Sequence, residues 1–258
     1  MASLSMTNSL AHVKGGLMGF IVDLHVHTIA SGHAYSTLMD YVKMAKEHAV
    51  TAFGLSDHGP AMPGGPHAYH IGNQVVIPRM IEGIYILKGV EANIVDYNGG
   101  IDLDDSILNR LDYAIASLHD IVLVPGTKVE NTSAVVGAMK HKKVRILGHL
   151  GNPKFDLDYE AIIKESIIHN VAIEINNSTF RSVSRKGSEE NCKHIAQLAY
   201  QLGAKLILGS DAHVHMDLAN FNNCFSLLDQ LHIPRDYPIN YRRDSFFEWL
   251  GIELEKNE

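Results

Sequence analysis

Two histidines stand two residues apart near the start of the chain, in Asp23-Leu24-His25-Val26-His27. On an extended backbone that spacing sends both imidazoles off one face, which suits two ligands to a single ion. Near the other end, Asp211-Ala212-His213 repeats the spacing. Between the pairs come Asp57-His58, Glu91, His119-Asp120 and His149, each closing a short apolar run. Imidazole nitrogen and carboxylate oxygen without thiolate suit zinc, manganese or iron better than a structural zinc site, which usually uses cysteine. The candidates outnumber what one tetrahedral or octahedral ion needs, so they point to two or three ions sharing bridging groups. A single histidine at a strand end has a plainer reading as a hydrogen-bonded surface group. The set, not any one member, carries the case.

The apolar runs read as seven strands, over 20–25, 51–56, 84–91, 113–119, 144–149, 171–176 and 205–210. Most lack polar alternation, as strands buried on both faces of a parallel sheet do. Helical patterns follow over 37–48, 131–141, 158–170, 188–203 and 217–229, and a last one over 242–250 is expected to close one end. Ser36 is the candidate cap of the first helix, and Gly203 sits where a left-handed residue ends one. Such alternation predicts parallel pairing through right-handed crossovers and a closed α/β barrel with outer helices. An open doubly wound sheet is the alternative, but neither Gly-x-Gly-x-x-Gly nor a Walker-type loop is present. In a barrel all parallel strands end at one face. Six of the seven runs end on a metal-ligand type of residue, and these would meet in one mouth.

The 258 residues fit one such domain, expected over 19–258, with residues 1–18 as an extension in which His12 has no role. Sixteen histidines exceed ordinary usage and need a positional explanation. The formal charge of −7, without a Lys/Arg run, argues against a nucleic-acid partner, although bound cations can reverse the local sign. No apolar run approaches the roughly 18 residues that span a membrane. Cys192 and Cys224 form neither a metal-binding pair nor a disulfide framework, which fits a cytoplasmic location.

Cations follow the sixth strand at Arg181, Arg185 and Lys186. Guanidinium groups suit the oxygens of a phosphate, so Arg181 and Arg185 are substrate-binding candidates, against a solvated charge run. His67 and His70, in the Pro/Gly-rich loop 59–73, are candidates of the same kind if that loop overhangs the mouth. Arg79 is a weaker one, and His215 a candidate outer group. His48, His141, His169, His194 and His232 fall in or beside helices, as solvated faces or caps.

The pattern of His25-x-His27, His33, Asp57-His58, Glu91-Ala92-Asn93, His119, His149-x-Gly-Asn-Pro and Asp211-x-His213 resembles the PHP (polymerase and histidinol phosphatase) superfamily. The strings His33-Ala34-Tyr35-Ser36-Thr37, Ser56-Asp57-His58-Gly59-Pro60, Glu174-Ile175-Asn176-Asn177-Ser178 and Arg185-Lys186-Gly187-Ser188 look like its YcdX-type bacterial phosphatase branch. The resemblance implies a distorted (β/α)7 barrel with three metal ions, zinc first and Mn2+ or Fe2+ next. It implies that His25, His27, Glu91 and Asp211 hold one ion, and His33, His58 and His213 a second. Glu91, His119 and His149 would hold the third, with Glu91 bridging. Glu91, Asp211 and His58 would be the groups closest to the reaction. Leu150 and Ala212 depart from the family's more common Pro and Ser, which bears on outer hydrogen bonds only. A homotrimer is a further implication.

Hydrolysis of small phosphate monoesters by a metal-activated hydroxide is the expected activity. An exonuclease of the same fold, an amidohydrolase-like enzyme acting on C–N bonds and a non-catalytic metal-binding protein are the alternatives.

Overall fold

The computed structural model describes residues 19–253; the extension expected over 1–18 lies outside the described residues. Strands β1 (Val22–Asp23), β2 (Ala52–Leu55), β3 (Met80–Ile81) and β4 (Ile84–Lys88) form one sheet in the order β1-β2-β4-β3. Only β3 runs antiparallel, as a two-residue edge turning on Glu82-Gly83, both at positive φ. The second sheet is wholly parallel: β5 (Glu91–Asn93), β6 (Ala114–Ser117), β7 (Val144–Leu147), β8 (Ala172–Asn176) and β9 (Leu206–Gly209). Single parallel bridges join the sheets, His58 to Glu91 at one seam and Val26 to Ala212 at the other. At the second seam the His27 N–H donates to Ala212 O at 2.9 Å and the Ala212 N–H to His25 O at 3.2 Å. The result is a distorted barrel whose seams are made by the candidate ligand segments themselves.

The run read as one strand over 84–91 is in fact two. Strand β4 pairs with β2, and after Gly89-Val90 the chain pairs with β6 as β5. The break lies beside Tyr113, a fully buried ring whose hydroxyl donates to Leu24 O at 2.6 Å. A Cβ on Gly89 would fall 2.3 Å from that ring, and one on Gly54 would fall 2.0 Å from its hydroxyl. Both neighbouring strands must therefore be bare where Tyr113 crosses.

Among the described residues eight helices surround this frame: α1 (Leu38–Glu47), α2 (Ala68–Gly72), α3 (Asp105–Leu108), α4 (Lys128–Ala138), α5 (Tyr159–Ile168), α6 (Glu189–Leu202), α7 (Asn222–Gln230) and α8 (Arg243–Leu250). Helix α1 is capped by Thr37, not Ser36, through a capping box with Asp40. Ser36 instead bonds His215, by Oγ–Nδ1 contact at 2.9 Å and by accepting its N–H at 2.8 Å. Helix α4 starts three residues earlier than its apolar pattern because Thr127 and Glu130 form a second capping box. Gly203 ends α6 at φ 73°, as expected. Helix α8 closes the end of the barrel away from the ligand residues. It buries Phe246, Phe247, Trp249 and Leu250 against Val22, Leu24, Leu87 and Tyr113. Among the described residues no helix is long and apolar enough to cross a membrane.

Gly89→Ala should therefore overpack the barrel and cost about 1–3 kcal/mol in urea unfolding. A stability equal to wild type would show that Tyr113 is free to move.

Candidate metal centre

Glu91 begins β5 and is 1% exposed. Five imidazoles surround its carboxylate. Oε1 lies 2.8 Å from His149 Nε2, 3.3 Å from His119 Nε2 and 3.5 Å from His25 Nε2. Oε2 lies 2.7 Å from His58 Nδ1 and 3.5 Å from His27 Nε2. Asp211 Oδ1 is 3.3 Å from His27 Nε2 and 3.6 Å from His25 Nε2. Outward of these, His33 Nε2 and His58 Nε2 are 3.3 Å apart, and the His213 ring lies 4.4 Å from His27 and 4.8 Å from His33.

Donors that share a tetrahedral ion at about 2.0–2.1 Å lie roughly 3.4 Å from one another. The contacts at 3.3–3.6 Å have that spacing. The buried atoms His25 Nε2, His27 Nε2, His58 Nδ1 and Glu91 Oε2 have no hydrogen-bond partner. The last two are close but out of line for a bond. Unpaired buried groups cost about 1–3 kcal/mol each, and all four face the same small volume. These residues fit divalent ions.

The far side of each ring explains why it faces inward. His25 Nδ1 meets Glu174 Oε1 at 2.5 Å. His27 Nδ1 lies 3.1 Å from Ser31 Oγ, whose own hydroxyl donates to Asp57 Oδ1 at 2.7 Å. His119 Nδ1 donates to Asn93 Oδ1 at 2.8 Å, and Asn93 Nδ2 donates to Asp102 Oδ2 at 2.6 Å. His213 Nδ1 donates to Asp211 O at 3.0 Å. Each partner holds the proton on Nδ1 and leaves Nε2 free for an ion.

Two of the ligand residues themselves have strained backbone. His149 and Asp211 adopt φ of 29° and 54°, which non-glycine residues avoid. Glu174 Oε2 steadies the first by accepting the His149 N–H at 2.8 Å. The Asp211 carboxylate accepts from Arg185 Nη2 at 2.5 Å and from Asn176 Nδ2 at 3.3 Å.

Charge follows from this packing. Burial alone would lower the pKa of His25, but Glu174, Glu91 and Asp211 outweigh it and hold the ring well above the ordinary histidine range. Burial would raise Glu91, yet His58, His25 and His119 hold it well below the usual carboxylate range. Asp211 is likewise low: burial opposes ionisation, but His25 and Arg185 prevail. His149 is pushed down to about 4, by burial and then by Arg185.

A cavity of about 560 Å³ opens onto the cluster, and Arg185 lines it beside His33, His119, His149 and His213. All nine candidate ligands thus lie at one centre, His25 and His27 beneath its floor. The other substrate candidates lie elsewhere. Arg181 pairs with Asp217 at 3.4 Å and does not line the cavity. His67 caps α2, accepting the Tyr69 N–H at 3.1 Å. His70 borders a separate groove with Ile29 and Val76. Met62 is the part of loop 59–73 that reaches the mouth, because the short helix α2 carries the two histidines away. Asp23, Asp57 and Asp120 end strands without joining the cluster. Asp23 accepts backbone N–H groups of His25, Ser210 and Ala219. Asp57 holds Thr28 and Ser31, and Asp120 pairs with Lys154 at the rim. The orienting roles of Glu174, Ser31 and Asn93 escape a search for ligands. A usable signal existed for Glu174, a charge inside an apolar strand that must be paired when buried.

The family described as PHP domain matches residues 23–180, the segment that carries His25 through His149. The chain belongs to the PHP family. A protein of Acetivibrio thermocellus named "Probable phosphatase" is 43% identical over 239 residues, covering 93% of this PHP chain and 98% of its own. One of the same name from Shewanella oneidensis is 45% identical over 235 residues, covering 91% and 93%. The histidinol phosphate phosphatase of Lactococcus lactis, solved with zinc, L-histidinol and phosphate, shares the fold. It aligns with TM-score 0.56 at 14% identity over 85% of this chain and 95% of that one.

The raised His25 sets the direction of a pH dependence. Without metal this ring stays protonated through neutrality, so an ion must displace the proton, and binding tightens as pH rises. Zinc titration should show proton release and an affinity that falls from about pH 8 to about pH 6. Affinity that is flat with pH would contradict it. Glu174→Gln should weaken binding about 10–100-fold by removing the carboxylate behind His25.

Proposed function

We propose that this PHP protein hydrolyses small phosphate monoesters at a centre of three divalent ions, zinc foremost. The observation that carries the reading is Glu91, one buried carboxylate within 3.5 Å of five imidazoles at the floor of an open cavity. Relatives named as phosphatases and a structural neighbour holding zinc and phosphate support it. Divalent ions at such a centre supply a hydroxide nucleophile at neutral pH and offset charge on the phosphoryl oxygens.

The chain's own part is placement. His25, His27, Glu91 and Asp211 make one ligand group, and His119, His149 and Glu91 another, so Glu91 is the shared member. His58 turns Nδ1 toward Glu91 and Nε2 toward His33, and so links the inner group to the outer one with His33 and His213. Arg185 is the cation best placed to hold a phosphate: Nη2 is engaged by Asp211, whereas Nη1 is buried without a partner. The cavity volume lies in the usual range for small-molecule pockets, about 300–1,000 Å³. Glu91, Asp211 and His58 are the catalytic residues in this reading.

A screen of phosphorylated metabolites on protein of known metal content tests the proposal. Hydrolysis should stop on chelation and return with zinc or manganese; full activity in demetallated protein would sink it. Glu91→Gln should lower kcat and metal content together, since the shape is kept and a bridging charge is lost. Arg185→Ala should raise KM about tenfold or more, the value of a hydrogen bond to a charged group, while Arg181→Ala changes it little. The reverse order would return Arg181 to the site.

A further inference from the structure

We infer that the ion positions of this centre are of two kinds, and that the one bounded by His33, His58 and His213 exchanges with solvent faster than the inner ones. The inference rests on the metal reading above and concerns how the ions are retained.

Three independent features separate outer from inner. Exposure is the first. His33 is exposed and the His213 side chain is 30% exposed, against 1% or less for His25, His27 and Glu91. The cavity is lined by His33, His58 and His213 and also by His119 and His149, the last two with side chains only 16% and 4% exposed, whereas His25 and His27 do not reach it. Solvent and competing ligands therefore meet the outer position first.

Anchoring is the second. His25 is braced by the Glu174 carboxylate, and His27 by Ser31, which Asp57 holds in turn. Those braces come from strand β8 and from the end of β2, parts of the frame itself. His213 leans on its near neighbour Asp211, whose carbonyl accepts from Nδ1 at 3.0 Å and whose carboxylate lies 3.5 Å away, and among the described residues no carboxylate pairs with His33. A ring held by its own loop loses more freedom when it takes an ion than one braced from the frame.

Charge is the third. The inner nitrogens share their volume with Glu91 and Asp211, whose oxygens lie 3.3–3.6 Å away. The outer trio brings imidazoles and no carboxylate of its own, and Glu91 reaches only the inner nitrogen of His58, the one turned away from His33. A second or third dication placed there gains less from the protein and faces repulsion from those already bound. Occupancy of the outer position should thus follow free metal, and with it the fraction of molecules having a complete centre.

The test uses full-length protein loaded with zinc and mixed with a chromophoric zinc chelator, with release followed by absorbance. Wild type should release about one equivalent in a fast phase, and the remainder about 10–100-fold more slowly, the usual effect of outer-shell support. His33→Ala should lose the fast equivalent and keep the slow phase. Glu174→Gln, which loosens His25 and touches none of the outer trio, should accelerate the slow phase and leave the fast one. His213→Ala repeats the first comparison, with melting temperature as the check that either outer variant is folded. Release in a single phase, or a fast equivalent that survives both outer substitutions, overturns the inference while leaving a metal centre in place. Protein that retains no zinc at all overturns the metal reading and the inference together.

Discussion

A carboxylate closed off from water must be paired or neutralised, and Glu91 is closed off almost completely. The fold answers with five imidazoles drawn from the ends of β1, β2, β6 and β7. The proton that His25 carries offsets only part of this charge and is given up to an ion, so the neutralisation is incomplete. The cluster therefore combines a strong local negative potential with aligned nitrogen lone pairs. That combination favours small dications over monovalent salt, because each dication satisfies several orphaned atoms at once.

The same residue ties chemistry to architecture. Glu91 forms the backbone bridge to His58 that joins the two sheets, and the His25–His27 segment forms the other seam with Ala212. Regular pairing gives out where the ligands stand, and short, irregular contacts replace it. The left-handed backbone at His149 and Asp211 belongs to this pattern. Strain of this kind persists when surrounding bonds over-determine it. Here Glu174, Asn176 and Arg185 do so from the adjoining strand and loop. At the opposite end α8 and Tyr113 fill the barrel with apolar bulk. One end is built for packing and the other for charge.

Much of this was legible in the sequence. Ligand types at strand ends, with His25-x-His27 and Asp211-x-His213 as bookends, pointed to side chains that the fold does bring together, because parallel strands in a barrel must end together. The longer helices were also readable, with α5 and α6 starting beside Asp158 and Ser188 as expected. The short α2 and α3 were not, and the start of α1 was misplaced: Ser36 and Thr37 are equally good caps by type, and the Asp40 partner decides. The break at Gly89 was hidden because Ile84, Ile86, Leu87 and Val90 carry a strand-like apolar character across it, and the ring that forces it belongs to Tyr113, far along the chain. Loop residues fared worst. Arg181 and Arg185 differ by four positions and look alike in sequence, yet one faces Asp217 and the other Asp211. His67 and His70 were misleading for the same reason, since composition places a loop near a mouth but not the direction of its side chains.

The account stands on the claim that Glu91 is shared between ions. Anomalous diffraction at the zinc edge from zinc-loaded crystals measures this most directly. The account predicts separate peaks on either side of the Glu91 carboxylate, about 3.5–4 Å apart as in other cooperating metal pairs. One peak should be reached by His25 and His27 and the other by His119 and His149. A cluster without a peak, or a single peak that leaves one Glu91 oxygen bonded only to protein, would contradict it.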